Sequence, residues 1–522
     1  MVFAALSHLL PKLYDSFTVL AVFFALFCLV FDFMKRRKTC ENYPPGPRGF
    51  PFVGNILQVD LRNPHVSFSK LWKKYGDVVS LQFGWTSVVV LSGYKTLKEA
   101  LVKKSEDFAD RPDFPIYKKL SERIGEGILF ARYGDWWKEQ RRFSLQSLKN
   151  FGLGKKSLEL RIVEEAGFLN QIFESEQGLP FDPHFYLTFA TVNIICSIVF
   201  GERFEYRDEK LLRFLHILEE DSVLEGGFWG QLLNAFPFLC NLPGPQNKIF
   251  QNQEKIIQFL QEIVTRHKES WDPNDIRDFI DAFLAEQEKD MNFRSLMFCI
   301  YQIKMKNTPN TSFLESKMIG SAVDLFVAGT ETTSTTLNWG LLFMVLHPDV
   351  QSQVHEEIDR VIGKERRPKL EDREEMPFTN AVIHEIQRLG NIGPISLPHQ
   401  TYRDTEVMGY TIPKETTIIP NLSSALFDED IWSTPHQFNP GHFLNSDGKF
   451  VKPEAFIPFS AGHRVCLGQQ LAKTELFIFF TSMLQRFTFH LPENEPRPSY
   501  RDARCGITLC PLPYRLCVKA RL

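Results

Sequence analysis

The sequence has no CxxC pair, no internal repeat and no marked excess of one charge. Its nine cysteines are odd in number and widely spaced, which argues against a disulfide framework or a zinc site and favours a reducing compartment. With 60 basic and 63 acidic side chains the formal charge is −3, so bulk charge does not predict a nucleic-acid partner. No GxGxxG motif follows a predicted strand, so the chain lacks that dinucleotide-binding fingerprint.

The composition instead provides a large apolar core. Of the 522 residues 43% are apolar and 24% are charged, which is ordinary for a globular protein. There are 48 Phe against 13 Tyr and 8 Trp, and this adds apolar volume that needs no hydrogen bonds. No low-complexity tract or Gly/Ser linker interrupts the chain after residue 55, so we predict one large domain over 55–522.

The amino-terminal part predicts a membrane anchor. An uncharged apolar run covers 17–31, and 16–34 reaches the length of a spanning helix. A basic cluster at 35–38 follows this run rather than preceding it, and no signal-peptide cleavage site is present, which favours an uncleaved anchor. We therefore assign 1–38 to a lumenal tip, a transmembrane anchor and a basic stop-transfer segment, with the following chain facing the cytosol. The proline-rich segment 39–54 predicts a stiff linker.

The body is predicted to be mainly α with a small β part. Alternation and β-branched residues predict two short strand pairs, at 78–93 and 405–422. Apolar residues at helical spacing predict helices at 158–174, 248–268, 314–346, 349–362 and 470–485.

One cysteine is distinguished by its surroundings, the pattern F-x-x-G-x-R-x-C-x-G. Cys466 comes just before a predicted helix, where free N–H groups and the helix dipole stabilise a thiolate. Gly462 and Gly468 lack side chains, which lets a flat ligand approach and lets backbone N–H groups point at sulfur. Arg464 offers a positive charge to a carboxylate on that ligand, and Phe459 offers an aromatic face.

The predicted helix 314–346 contains a threonine-rich island at 330–336. Such an island in a buried helix lowers helix propensity and needs hydrogen-bond partners, and violations of this kind mark functional sites. Ala328 and Gly329 leave room for a small molecule and water against the backbone. The alternative is that the threonine hydroxyls donate to carbonyls four residues earlier, and the island alone does not decide between the two.

The motif around Cys466 resembles that of the cytochrome P450 family, haem-thiolate monooxygenases whose iron is held by one cysteine thiolate. The resemblance extends from Pro44 to about Pro513 and implies the cytochrome P450 fold, with haem b as cofactor and Cys466 as the iron ligand. Segments 137–159 and 379–392 resemble microsomal family-two enzymes. They are closest to the subfamily that epoxidises and hydroxylates arachidonate-type fatty acids and some drugs.

The resemblance implies roles for further residues. Glu331 and Thr332 match the acid–alcohol pair that delivers protons during dioxygen cleavage. Contacts to the haem propionates are implied for Trp137, Arg141, Arg111 and His399. The substrate cavity is expected to be lined by 112–130, 228–239, 327–332 and 395–397.

Glu385 and Arg388 match the family's structural E-x-x-R element. The further partner of this pair is expected near Arg403 or in 438–443, where His442 stands at a position that is often arginine in the family.

One segment departs from the family pattern. About fifteen residues, 290–304, intervene where members run almost directly into KNTPNTSF. The segment is apolar enough to need burial, yet the family fold has no place for it. It is either a real membrane-facing insertion or a gene-model error, and the sequence leaves both open.

The resemblance implies a monooxygenase in the endoplasmic reticulum membrane, with its catalytic domain facing the cytosol. It would hydroxylate or epoxidise a lipophilic small molecule, taking electrons from NADPH through NADPH–cytochrome P450 reductase, with cytochrome b5 as an additional candidate donor. Two alternatives are a haem-thiolate isomerase that rearranges peroxides without a reductase, and a non-catalytic membrane-anchored haem-binding protein. The intact Glu331–Thr332 pair argues against the isomerase, because that chemistry needs no proton delivery.

Overall fold

The computed structural model describes residues 18–32, 34, 40–301 and 313–521, with the side chains of residue 123 and of 291–301 left out of that description. Residues 18–32 are helical, and Trp85 Nε1 donates to Asp32 Oδ1 at 3.1 Å. Within the described part of the chain, no helix combines the length and the apolar character needed to cross a membrane. Residues 1–17 and the basic cluster 35–38 lie outside the described residues, so that division of the chain stays a prediction.

Helices make up most of the body. In chain order they are α1 (Pro64–Tyr75), α2 (Tyr94–Lys98), α3 (Pro115–Ile124), α4 (Asp135–Asn150), α5 (Lys156–Ser175), α6 (His184–Val199), α7 (Glu209–Gly226), α8 (Phe228–Ala235), α9 (Asn247–Glu269), α10 (Phe279–Tyr301), α11 (Glu315–Leu346), α12 (Pro348–Val361), α13 (Pro377–Gly390), α14 (Leu422–Leu426) and α15 (Gln469–Arg486). A π-helical turn, Glu99–Lys103, continues α2. The five predicted helices correspond to α5, α9, α11, α12 and α15.

The strands form small sheets. They are β1 (Val78–Phe83), β2 (Thr86–Leu91), β3 (His399–Gln400), β4 (Thr405–Val407), β5 (Tyr410–Ile412), β6 (Thr417–Pro420), β7 (Phe487–His490), β8 (Ala503–Cys505), β9 (Leu509–Pro511) and β10 (Cys517–Ala520). The largest sheet has the order β1-β2-β6-β3, with β2 and β6 parallel and the other pairs antiparallel. Separate antiparallel pairs are β4–β5, β7–β10 and β8–β9.

The first predicted strand pair is confirmed and the second is wrong in its pairing. β1 and β2 form a hairpin in which Val79 pairs with Val90. In the 405–422 region, however, β4 pairs with β5 across a tight turn, while β6 leaves this region and joins β2 in parallel. The reason is burial: all four residues of β6 are buried, so this strand belongs to an interior sheet rather than to a surface hairpin.

The long helix α11 is the centre of the core. Its carboxyl-terminal half is buried on all sides, including Trp339 and Phe343, because α6, α13 and α15 pack around it. Its middle part faces the cavity described below. The helix therefore holds the threonine-rich island rigidly between the core and that cavity.

The E-x-x-R pair lies on α13 and is fully buried. Arg388 makes a bidentate ion pair with Glu385, with Nε–Oε2 and Nη2–Oε1 distances of 2.7 Å. His442 is the further partner, since its Nδ1 lies 3.3 Å from both carboxylate oxygens of Glu385. Arg403 lies elsewhere: it is half exposed and pairs with Asp107 at 2.6 Å, which excludes it as the partner.

The helix α10 runs into the atypical segment 290–304 as far as Tyr301. The remainder of that segment lies outside the described residues. The two interpretations of the segment, a membrane-facing insertion and a gene-model error, therefore both stay open.

Candidate functional site

A cavity of 560 Å³ opens between α11, α7, the β8–β9 hairpin and the loop that carries Cys466. Most of the residues predicted from sequence line it, namely Cys466, Phe459, Arg464, Trp137, Arg141, Arg111, Glu331 and Thr332. Two predicted residues, Gly462 and His399, are not among the described residues that line it. The structure thus brings distant parts of the chain to one site.

The thiol of Cys466 faces this cavity. Cys466 has a large accessible surface, but this surface is part of the cavity wall, and the sulfur is otherwise surrounded by protein. Burial raises the pKa of the thiol, while N–H groups of Gly468 and Gln469 at the start of α15 and the charge of Arg141 act to lower it. The predicted setting at a helix start is present, and coordination of a metal ion would deprotonate such a thiol outright.

The two glycines of the motif have different reasons to be glycine. Gly462 has φ = 75°, and a Cβ there would lie 1.6 Å from the carbonyl oxygen of Leu101. This corrects the expectation that Gly462 makes room for a ligand, because its missing side chain makes room for the π-helical turn instead. Gly468 does line the cavity, with open space at its Cβ position.

Three arginines, Arg111, Arg141 and Arg464, form what we call the arginine cluster. Burial, together with repulsion between neighbouring guanidiniums, lowers the pKa of Arg111 to about 9 and that of Arg464 to about 8. Burial also lowers the pKa of Arg141. Positive charges held this close in a buried site are stabilised by an anion, so the cluster is suited to a ligand that carries carboxylates.

Trp137 and His399 bond to backbone carbonyls, and their contacts to the haem propionates stay predictions. The indole Nε1 of Trp137 donates to the carbonyl of Ile128 at 3.1 Å, so in this structure it is not directed at a carboxylate in the cavity. The ring instead stacks on Arg464, whose guanidinium carbon lies 4.0 Å from the ring centroid. The Nδ1 of His399 bonds to the carbonyl of Phe108 at 2.6 Å, and burial and the charge of Arg111 hold the pKa of this imidazole well below its usual value.

Thr332 fits both interpretations of the threonine-rich island, the back-bonded helix residue and the residue that faces a ligand. Thr332 Oγ1 donates to Ala328 O at 2.9 Å, which is the helix back-bonding alternative. Thr332 also lines the cavity. The Glu331 carboxylate has different partners, because its Oε1 accepts from Ser222 Oγ at 2.8 Å and from Thr508 Oγ1. The acid and the alcohol are thus adjacent but bonded to different partners.

Sequence reasoning missed two carboxyl groups on α7. Asp221 and Glu225 are both buried and both line the cavity. Burial raises the pKa of each, and the nearness of Glu225 adds to the rise for Asp221. The run EEDSVLE at 219–225 is a usual pattern for a solvated helix face, so the sequence carried no clear signal of burial.

The remaining wall is mainly apolar and comes largely from the expected segments. It includes residues from 112–130, such as Phe114 and Phe130, and the whole of 395–397. From 228–239 only Gln231 and Asn234 reach the cavity. Phe238 in that segment is instead 63% exposed on the surface.

Comparison with known proteins is consistent with this geometry. Residues 44–518 match the family model described as "Cytochrome P450". Similar curated proteins include cytochrome P450 2D20 of Mesocricetus auratus, which is 48% identical over 503 residues, 96% of this chain and 97% of that protein. Cytochrome P450 2D6 of Homo sapiens is 47% identical over 510 residues, 97% of this chain and 99% of that protein.

These relatives are named as 2D proteins, and the narrower likeness to an arachidonate-oxidising subfamily stays a prediction. The cavity-facing thiol, the arginine cluster and the match over almost the whole chain lead to one assignment. The chain belongs to the cytochrome P450 family: it is a microsomal, haem-dependent monooxygenase of the endoplasmic reticulum membrane that oxidises lipophilic substrates with electrons from NADPH–cytochrome P450 reductase.

Proposed function

We propose that the preferred substrates are lipophilic molecules that carry a protonated amine. The observation that carries this proposal is the Asp221–Glu225 carboxyl pair in an otherwise mainly apolar cavity. An apolar wall binds the hydrocarbon part of a drug-like molecule, and a small number of polar groups then fix its orientation. Carboxyl groups in such a wall favour a cation.

The geometry of the pair leaves an acceptor for that cation. Glu225 is held by Tyr117 Oη at 2.8 Å and by Gln253 Nε2 at 2.6 Å, so its position is fixed from α3 and α9. The Asp221 side chain is hydrogen-bonded to Glu225, but its buried Oδ1 has no donor group among the described residues. An ammonium group placed there would gain a charge-assisted hydrogen bond and would favour the ionised form of the pair.

The residues of the site fit haem b. Cys466 would hold the iron, Arg111, Arg141 and Arg464 would neutralise the two propionates, and Trp137 would keep Arg464 in place by stacking. Phe459 would lie near the ring, since its carbonyl accepts from the N–H of Cys466 at 3.1 Å. The bound haem supplies the redox chemistry that cleaves dioxygen and inserts one oxygen atom into the substrate.

The protein's own part in the reaction is to position the substrate and to move protons. Glu331 and Thr332 lie next to each other on the cavity wall, and we assign them to proton delivery. Thr332→Ala should bind haem and substrate as before, because alanine is a good helix former. Product per NADPH should fall and hydrogen peroxide should rise. An unchanged product yield would assign Thr332 to helix structure alone.

The substrate proposal is tested by comparing charged and uncharged probes. A lipophilic aryl-alkyl tertiary amine and its uncharged carbon isostere are titrated into the haem-loaded enzyme by absorbance. A charge-assisted hydrogen bond is worth about 1.5–3 kcal/mol, so Glu225→Gln and Asp221→Asn should weaken amine binding by about 10–100-fold. Binding of the isostere should change little.

The control variant is Glu220→Gln, which removes the same charge from the exposed side of α7. It should leave binding of both probes unchanged. Equal weakening of amine and isostere by Glu225→Gln would show a packing role and overturn the proposal. Arachidonate serves as a third probe: a fatty acid that bound more weakly after loss of Glu225 would also contradict the proposed attraction for cations.

A further inference from the structure

Side chains from three elements meet at the carboxylate of Glu331, on the wall of the cavity. The side chain of Ser222, on α7, donates to Glu331 Oε1 at 2.8 Å. Thr508, in the turn of the β8–β9 hairpin, donates its hydroxyl to the same oxygen. Glu331 itself is on α11. We call this arrangement of Ser222, Glu331 and Thr508 the Glu331 junction.

The backbone at the junction is as closely fitted as the side chains. The Ile507 N–H donates to Ser222 O at 3.1 Å and to Ser222 Oγ at 3.2 Å. A Cβ on Gly226 would lie 2.0 Å from the carbonyl carbon of Gly506, so the helix and the hairpin meet glycine on glycine. The hydroxyl donors of Glu331 are therefore present only while α7 and the hairpin are packed together on α11.

The hydroxyl donors affect the protonation of Glu331. Burial raises the pKa of this carboxyl, and the two hydrogen bonds from Thr508 and Ser222 act against that rise. Charged and titratable groups also face it from the surrounding elements, and these are His184 on α6, Glu219 and Glu225 on α7, Arg504 on β8 and Cys510 on β9. These groups carry charges of both signs. Among the described residues, the donors that bond directly to the carboxylate are the neutral hydroxyls of Ser222 and Thr508.

We propose that Ser222 and Thr508 are positioning residues for proton delivery, and that they make the action of Glu331 depend on the closed packing of α7 and the β8–β9 hairpin over the cavity. The inference rests on the proposed role of Glu331. When α7 moves away from the hairpin, Glu331 loses Ser222 as a donor, and when the hairpin moves it loses Thr508. Either movement leaves a buried carboxyl that holds its proton more tightly and gives it up less readily.

The first experiment measures the carboxyl without turnover. The infrared band of the protonated carboxyl of Glu331 is identified as the difference between wild type and Glu331→Gln, and is then titrated with pH in haem-free and haem-loaded protein. Ser222→Ala and Thr508→Ala should each move this titration to higher pH, and the double variant should move it further. Thr508→Ser keeps the hydroxyl and should restore the wild-type titration.

The second experiment measures coupling in the haem-loaded enzyme with reductase. Ser222→Ala, Thr508→Ala and the double variant should lower product per NADPH severalfold and divert the electrons to hydrogen peroxide. The matched control is Thr481→Ala, which removes a buried hydroxyl on α15 that donates to Phe477 O within its own helix. This control and Thr508→Ser should keep the wild-type coupling.

The outcomes separate the two proposals. If Glu331→Gln keeps wild-type coupling, the proton-delivery role of Glu331 is wrong, and the inference is wrong with it. If Glu331→Gln uncouples but the double hydroxyl variant neither uncouples nor shifts the infrared titration, the inference alone is wrong. Uncoupling together with the shift, reversed in Thr508→Ser, supports both.

Discussion

Arg388 and Arg464 are both buried guanidiniums, and their surroundings differ in one respect. Arg388 bonds bidentately to the carboxylate of Glu385 and also donates to the carbonyls of Leu426 and Pro435. Arg464 donates to the carbonyls of Ala109, Ile128 and Ala131, which carry no full charge. A buried charge is costly unless it is paired. The chain completes the first site by itself, whereas we expect a ligand anion to complete the second.

The two buried arginines differ in whether their charge is neutralised within the chain. At the Glu385–Arg388 pair, the stability gained does not depend on the cofactor. At the arginine cluster, the like charges lower the pKa of their neighbours, and this unfavourable interaction is relieved when an anion binds. The same residue type therefore stabilises the fold at Arg388, and we expect it to stabilise the bound cofactor at the arginine cluster.

The largest effect is expected for the loss of the iron ligand. Cys466→Ala should abolish the thiolate-type carbon-monoxide difference spectrum of the reduced protein, because the arginine cluster supplies charge but no ligand for iron. The haem-free protein should unfold near the wild-type midpoint. Cys517→Ala, in β10, should keep the spectrum. An unchanged spectrum in Cys466→Ala would contradict the assigned ligand.

The next largest effect is expected at the Glu385–Arg388 pair, where the counter-charge of the arginine comes from the chain itself. Glu385→Gln leaves Arg388 buried without its counter-charge, and this should cost about 3–5 kcal/mol of unfolding free energy. Because the pair is independent of cofactor, the loss should be similar in haem-free and haem-loaded protein, as measured by urea unfolding. Glu429→Gln, in a largely exposed ion pair with Lys73, is the control and should have little effect. A loss confined to haem-loaded protein would show that the stability contributed by the Glu385–Arg388 pair depends on the cofactor.

A matched pair of arginine variants addresses both sites directly. Arg111→Gln keeps amide donors for the neighbouring carbonyls but removes the charge, so haem should dissociate about 10–100-fold faster, as a lost charged hydrogen bond of about 1.5–3 kcal/mol implies. The unfolding free energy of the haem-free protein should change little. Arg388→Gln should show the reverse pattern, with unstable haem-free protein. Similar behaviour of the two variants would contradict the distinction.

The smallest effect is expected at His442. Its Nδ1 lies 3.3 Å from both carboxylate oxygens of Glu385, and His442→Gln replaces this imidazole donor by an amide. The expected loss is about 1–2 kcal/mol of unfolding free energy, since the donor to Glu385 is replaced and the bond from the Thr434 N–H to Nε2 is lost. Urea unfolding at fixed pH measures it. A loss as large as that of Glu385→Gln would show that His442, and not Arg388, is the main partner of the carboxylate.

Local signals in the sequence predicted a large part of this molecule. The helix expected at 314–346 is Glu315–Leu346 in the structure, because its apolar residues recur at helical spacing along the whole segment. The surroundings of Cys466 were predicted for a similar reason, since the motif is contiguous and its chemistry is local. The pairing of β6 with β2 was not predicted, because nothing within 405–422 indicates a partner more than three hundred positions earlier.

The sequence indicated which residues line the cavity better than it indicated the hydrogen-bond partners of their side chains. Trp137 lines the cavity as expected, but the bond of its indole to Ile128 depends on a loop whose course the sequence does not show. Asp221 and Glu225 were missed because their burial is produced by α3 and α9, and not by their own helix. Local pattern thus indicates which residues meet, and tertiary packing decides what each of them bonds to.

The close fit of Gly462 against Leu101 has a consequence for biosynthesis. Arg464 Nε bonds to the carbonyl of Ala109, 355 positions earlier in the chain. Contacts of such long sequence separation form late, since loop closure must precede them. The loop that presents Cys466 takes its shape only after the carboxyl-terminal part of the chain has left the ribosome and has met the π-helical turn. We therefore expect haem capture to come late in the maturation of this protein, after the loop that carries Cys466 has packed against the π-helical turn.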